Sequence, residues 1–262
     1  MKIAVTGKGG VGKTTICALL AKALKACGRD VVAIDCDPDS NLAACMGYAH
    51  PEQLKPLVAL KELIEEKMGV KPGTTGGMFR LNPFVDDIPD RYAVDIDGVR
   101  VLVAGAVKKG GAGCYCPENA LIRALISHLL VDGKTDLILD MEAGIEHLSR
   151  GTVRTVDALV VVVDPSLRAV ETALRIRELA GQLGLKQILA IGNKIRSEKD
   201  SRFLVESLPG WEFAGFLPYD DTLRDAEMSG RSVSDGAGRE TGAAVVCITD
   251  NLAARFATQH SK

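Results

Sequence analysis

The stretch KIAVTGKGGVGKTTICALLAKAL, which begins at Lys2, leaves few choices of fold. Gly7 through Thr14 satisfy the pattern GxxxxGK[ST], and the pattern lies between a strand-like run and a helical one, the context its chemistry requires. The glycines let the backbone N–H groups of Gly9, Gly10, Val11, Gly12, Lys13, Thr14 and Thr15 turn inward around phosphate oxygens. The following helix adds the positive end of its dipole. Lys13 is placed to reach the β and γ phosphates, and the Thr14 hydroxyl to help hold Mg²⁺. A strand, this loop and a helix form the first unit of a nucleotide-binding α/β sheet.

The rest of the chain repeats that rhythm. Strand-like runs fall at residues 2–5, 30–34, 99–103, 137–139, 158–163, 187–191 and 213–217. Several are apolar throughout, as parallel strands covered on both faces should be. Helical patterns fall between them, at 14–25, 117–130, 166–183 and 220–228, with a last one over 245–259. The expectation is α/β: one doubly wound, mostly parallel sheet, with 1–262 forming a single domain. Residues 51–98 interrupt the alternation with a helical pattern at 56–67, a Gly/Pro/Asp-rich stretch and a hairpin signal at Asp95-Ile-Asp-Gly98. They read as an insertion or lid, and as a place where a partner could dock.

Two features remain unexplained by a P-loop alone. Lys8 begins the loop, where its side chain points outward rather than back onto the same phosphates. Cys114-Tyr-Cys116 sits in a Gly-rich loop opening a helix at Pro117. A helix N-terminus favours the thiolate form, but two sulfurs do not close a tetrahedral site. A two-fold axis beside the loop would bring four thiolates together with no other ligand. A CxC pair can also be two small residues at a helix start, or an incidental redox pair. The other cysteines read as structural: Cys17, Cys27 and Cys247 as packing residues, with Cys36 and Cys45 near enough to the second strand's end to be candidates for reactivity.

The motifs resemble a known group. GKGGVGKT is similar to the deviant P-loop of the MinD, ArsA and nitrogenase iron protein ATPases, whose early lysine crosses a dimer interface to the partner's nucleotide. That resemblance gives Lys8 a catalytic part in trans and links nucleotide binding to closure of a homodimer. It further implies that in Ile34-Asp-Cys-Asp-Pro-Asp39 the Asp37 carboxylate orients the attacking water while Asp35 contacts the Mg²⁺ shell. Asp140, ending the run LILD, takes the Walker B position and holds Mg²⁺ through water. Gly144 senses the γ-phosphate and moves 145–150 as a switch, with His147 inside it. Asn193-Lys194 and Leu217-Pro218-Tyr219 match the group's base-contacting loops. No NKxD signature follows, which favours ATP/ADP over guanine nucleotides.

GKGGVGKTT, DPD, GxGCxCPEN and DMEAGIEHLSRG taken together resemble the nickel-insertion accessory ATPases of carbon monoxide dehydrogenase, the CooC type, and their relatives serving acetyl-CoA synthase. The resemblance spans the chain from the P-loop to the base loops. It implies Ni²⁺ or Zn²⁺ bound by Cys114 and Cys116 of both subunits, and an apo-enzyme client, CO dehydrogenase or acetyl-CoA synthase. The alternative is an iron–sulfur ATPase donating electrons, since four thiolates at a dimer axis can also hold a cluster. Against it, the cysteines are nearly adjacent and the segment after Asp140 contains none. A positioning ATPase acting on membrane or DNA needs a basic tail or face. A net charge of -2 and a last helix with Arg255 as its only cation give neither, so no nucleic acid and no membrane are expected as partners. The N-terminus carries no charged leader or long apolar core, and the expected location is cytoplasmic.

Overall fold

A computed structural model describes residues 1–71, 79–105, 117–131, 135–142, 156–185 and 187–257. Its centre is an eight-stranded sheet. The strands are β1 (Lys2–Gly7), β2 (Val31–Asp35), β3 (Val94–Ile96), β4 (Val99–Val103), β5 (Asp136–Asp140), β6 (Ala158–Val163), β7 (Ile188–Ile195) and β8 (Glu212–Pro218). They lie in the order β3-β4-β2-β5-β1-β6-β7-β8, and every pairing is parallel except β3 with β4. The seven expected strands are all present, and the hairpin signal at Asp95–Gly98 is the antiparallel turn between β3 and β4.

The helices are α1 (Lys13–Ala26), α2 (Leu42–Cys45), α3 (Lys61–Met68), α4 (Ile88–Tyr92), α5 (Pro117–Val131), α6 (Leu167–Leu183), α7 (Glu198–Ser207), α8 (Asp221–Met228), α9 (Val233–Gly236) and α10 (Arg239–Ala257). Residues of β1, β2, β5 and β6 are buried throughout, as strands covered by helices on both faces must be. Among the described residues no helix is long and apolar enough to cross a membrane.

Two expectations need correction. The helical pattern at 56–67 is not one helix. Residues Leu57–Ala59 make a 3-10 turn, and α3 starts only at Lys61. Pro56 supplies an extended residue (φ -56°, ψ 141°), and the chain re-enters helix after it. The 51–98 segment is not a lid either. Leu57, Leu63, Ile64, Met68 and Ile88 are each 2% exposed or less, in one core with the sheet. Its described residues form a layer of the domain, closed by β3 as the edge strand.

The topology fixes where chemistry can occur. β1 lies between β5 and β6, and the chain departs on both sides of it, opening a crevice at the carboxyl ends of the strands. Residues 8–12 follow β1 there, Asp35 ends β2 and Asp140 ends β5. Asp35 and Asp140 are register partners on adjacent strands.

Candidate functional site

The loop after β1 takes its shape from its glycines. Gly12 is left-handed (φ 93°), and a Cβ there would lie 2.5 Å from Asn193 Nδ2. A Cβ on Gly7 would meet the Val162 carbonyl oxygen at 2.4 Å, so only glycine lets β1 turn so close to β6. The first turn of α1 has neither a side-chain cap nor an acidic residue. Its free N–H groups are therefore left for an anion arriving from the loop.

Two side chains from β7 brace the loop from behind. Asn193 Nδ2 donates to the Val11 carbonyl at 2.8 Å, and Lys194 Nζ to the Gly10 carbonyl at 2.7 Å. Lys194 itself adopts a positive φ of 60°. With its amide nitrogen used in this way, Asn193 has its Oδ1 left as an acceptor. The Val11 side chain is fully buried beneath the loop.

A cavity of about 570 Å³ opens on this loop. Gly9, Gly10, Gly12, Lys13, Thr14, Thr15, Asp37, Asn193, Lys194 and Pro218 line it, uniting elements far apart in sequence. Lys8 does not line it. Lys13 does, although it is only 8% exposed, and its ammonium lies 3.4 Å from the Lys8 carbonyl. The two lysines of the motif are thus in different environments. Sequence reading missed part of the opposite wall, formed by Asp39, Asn41, Cys45, Asp220, Leu223, Arg224, Glu227 and Val233. Leu223, Arg224 and Glu227 belong to α8, Asp220 caps it and Val233 opens α9, while Asp39, Asn41 and Cys45 follow β2. The one available signal was that α8 directly follows a base-loop motif.

Asp35 and Asp140 lie beneath the cavity rather than in its wall. Asp35 is fully buried, with Oδ1 accepting from the Asp37 N–H at 3.0 Å and Oδ2 from the Leu42 N–H at 2.9 Å. Both oxygens therefore hold the 37–42 loop that presents Asp37. Burial raises the Asp35 carboxyl to about 7, against the pull of those N–H groups. Asp140 is 1% exposed, and neither of its oxygens has a hydrogen-bond partner among the described residues. Thr14, Cys17 and Lys13 are the groups beside it. Burial raises Asp140 to about 6, with Thr14 and Lys13 pulling the other way. A buried carboxylate left without partners beside Thr14 is the donor set expected of a hydrated Mg²⁺ site.

Cys114, Cys116, Gly144, His147 and the 145–150 switch lie outside the described residues. Among the described residues no group of three or more His, Cys, Asp or Glu side chains could hold a metal. Cys17, Cys36 and Cys45 are buried, whereas Cys27 and Cys247, expected as packing residues, are exposed. Cys27 caps the end of α1, and Cys247 lies on α10. Burial pushes the Cys45 thiol up to about 12 and the Cys36 thiol well above its ordinary value, so neither is reactive.

A family model described as the CobQ/CobB/MinD/ParA nucleotide binding domain matches residues 2–233. The carbon monoxide dehydrogenase accessory protein CooC of Rhodospirillum rubrum is 45% identical over 237 residues, covering 90% of this chain and 90% of that protein. An uncharacterized ATP-binding protein of Methanocaldococcus jannaschii is 41% identical over 236 residues, 89% of this chain and 91% of that one. Among solved structures, the MinD cell division protein of Aquifex aeolicus matches with a TM-score of 0.70 and 22% identity, covering 96% of each chain. That last likeness is one of fold.

Proposed function

The chain belongs to the CobQ/CobB/MinD/ParA nucleotide-binding family and is a P-loop ATPase, and from that premise we propose that it is a homodimeric metallochaperone delivering nickel to apo CO dehydrogenase or acetyl-CoA synthase. The observation that carries the reading is the likeness to the R. rubrum accessory protein, which extends over nine-tenths of both chains. The whole of 1–262 acts as one ATPase domain.

Each residue has a part in this reading. The 9–15 backbone cradles the phosphates, and Lys13 contacts the transferring group. Asp140, through water, and Thr14 are the residues that would hold Mg²⁺. Bound there, Mg²⁺ would offset the charge growing on the β and γ oxygens. Asp35 fixes the loop so that Asp37 orients the attacking water. Asn193 offers an acceptor oxygen to the exocyclic amine of adenine, which guanine lacks at that position, and Lys194 and Pro218 complete the base end. Lys8, which does not line its own cavity, completes the site of a second subunit. Cys114 and Cys116 of both subunits bind the cargo Ni²⁺, or Zn²⁺ in its place. Hydrolysis relaxes the 37–42 and 145–150 segments and so alters the cysteine geometry.

The test is reconstitution. Nickel-free CO dehydrogenase is mixed with the Ni²⁺-loaded protein, with and without ATP. Activation should require ATP and be lost with Lys13→Ala. Equal activation by the nucleotide-free protein would contradict an ATP-driven delivery.

A further inference from the structure

Asp220 makes more hydrogen bonds than a helix cap requires. It is the N-cap of α8, and a cap needs one oxygen accepting from the first turn, which Oδ1 provides by accepting from the Thr222 N–H at 2.9 Å and from the Thr222 hydroxyl. The second oxygen reaches across to another element. Oδ2 accepts from the Gly238 N–H at 2.9 Å and from the Thr241 hydroxyl at 2.6 Å. Gly238 directly precedes α10, and Thr241, in its first turn, is 1% exposed. Burial would raise this carboxyl, but the four donors outweigh it and hold it at about 2, so Asp220 is an ionised acceptor at any working pH.

Asp220 also lines the cavity, next to Pro218 and Tyr219 and ahead of Leu223, Arg224 and Glu227 on α8. The other side of the same loop is tied to β7. The Tyr219 N–H donates to the Ile195 carbonyl at 2.8 Å, and the Arg196 guanidinium stacks over the Tyr219 ring at 3.5 Å. A short loop held at both margins, with α8 set by the same carboxylate, makes a pre-shaped wall. Pre-shaping a wall lowers the ordering cost of whatever binds against it.

We infer that Asp220 is a positioning residue for the nucleotide base, clamping the 218–220 loop and α8 to the start of α10. The inference rests on the reading that the base occupies this end of the cavity. The hydrogen bonds of Asp220 run to Thr222, Gly238 and Thr241 and none to the phosphate loop, so Asp220 acts on base recognition and leaves phosphate binding alone.

Binding of ATP and of inorganic tripolyphosphate is measured by calorimetry for the full chain, together with KM and kcat for ATP. Asp220→Asn keeps the size of the side chain and loses the second acceptor. It should weaken ATP about 10-fold while tripolyphosphate changes less than about 2-fold. KM should rise far more than kcat falls. Thr241→Val, which removes one donor, should shift ATP in the same direction by a smaller factor, and Thr241→Ser should restore it. Thr241→Val carries the test if Asp220→Asn does not fold. Equal loss of both ligands, or loss of neither, would overturn the inference. Pro218→Ala, at the base end and with no bond to the phosphate loop, separates the two ways of failing, since Asn193 also braces that loop through the Val11 carbonyl. If it weakens ATP selectively while the Asp220 and Thr241 variants do not, the base end is right and the clamp is wrong. If none of them discriminates ATP from tripolyphosphate, the base lies elsewhere and both are overturned.

Discussion

Asp140→Asn is expected to give a protein that melts higher than the wild type without nucleotide, yet hydrolyses ATP at least about 100-fold more slowly. Both signs follow from one observation. Asp140 is buried, and neither oxygen has a hydrogen-bond partner among the described residues, so burial penalises its charge by more than Lys13 and Thr14 relieve it. Its carboxyl is raised from 3.8 to about 6 by burial. A carboxyl raised on folding adds stability while it is protonated, and that contribution is lost as pH rises through the folded value. The penalty is therefore absent below 3.8, grows up to about 6, and is complete above it. A shift of this size corresponds to about 3 kcal/mol, or a rise of roughly 5–10 °C in Tm for the asparagine variant in EDTA near pH 8. The gain should shrink to nothing near pH 3.5. Turnover moves the other way, because the amide removes the charge that would hold Mg²⁺ beside Thr14. A variant that melts lower and keeps its turnover would make Asp140 a structural carboxylate.

The second large effect separates the two lysines. Lys13→Ala should lose turnover by at least about 100-fold together with much of the ATP affinity, since Lys13 lines its own cavity. Lys8→Ala should be as inactive, by on the order of 1,000-fold if it acts like a finger supplied in trans, while ATP binding to the monomer changes little. The mixture is decisive. A dimer of one Lys8→Ala chain and one Lys13→Ala chain has a single complete site, with Lys13 from the first and Lys8 from the second. Half the dimers in an equal mixture are of this kind, so two inactive proteins should recover roughly a quarter of wild-type turnover. No recovery after subunit exchange would place Lys8 in cis.

The sheet was readable because its signal is local. Runs such as ALVVVV at Ala158–Val163 are apolar at every position, and only a strand covered on both faces suits them. The P-loop was equally plain, since Gly7 and Gly12 stand where a side chain would meet Val162 or Asn193. The signal failed where tertiary packing overrides local pattern. Helical spacing at 56–67 gave no sign of the extended Pro56, and a Gly/Pro-rich composition hid the fact that Ile64 and Met68 belong to the core. Within the site, the resemblance gave Asp35 and Asp140 parts at one Mg²⁺ ion and said nothing of their protein partners. Their hydrogen bonds separate them, for Asp35 uses both oxygens to hold a loop and Asp140 uses neither. The wall at Asp220 was missed for the same reason: a carboxylate that clamps Gly238 and Thr241 looks in sequence like an ordinary helix cap.

The central claim, a shared cargo site built from paired cysteines, is tested most directly by titrating Ni²⁺ into the metal-free protein. Thiolate-to-metal absorption and oligomeric state are followed together, with the Cys114→Ala/Cys116→Ala variant alongside. The account predicts a band that saturates at one Ni²⁺ per dimer and is absent in the variant. A chain that dimerises with ATP but shows no band with nickel, or a variant that keeps full stoichiometry, would contradict it and leave an ATPase whose cysteines carry no cargo.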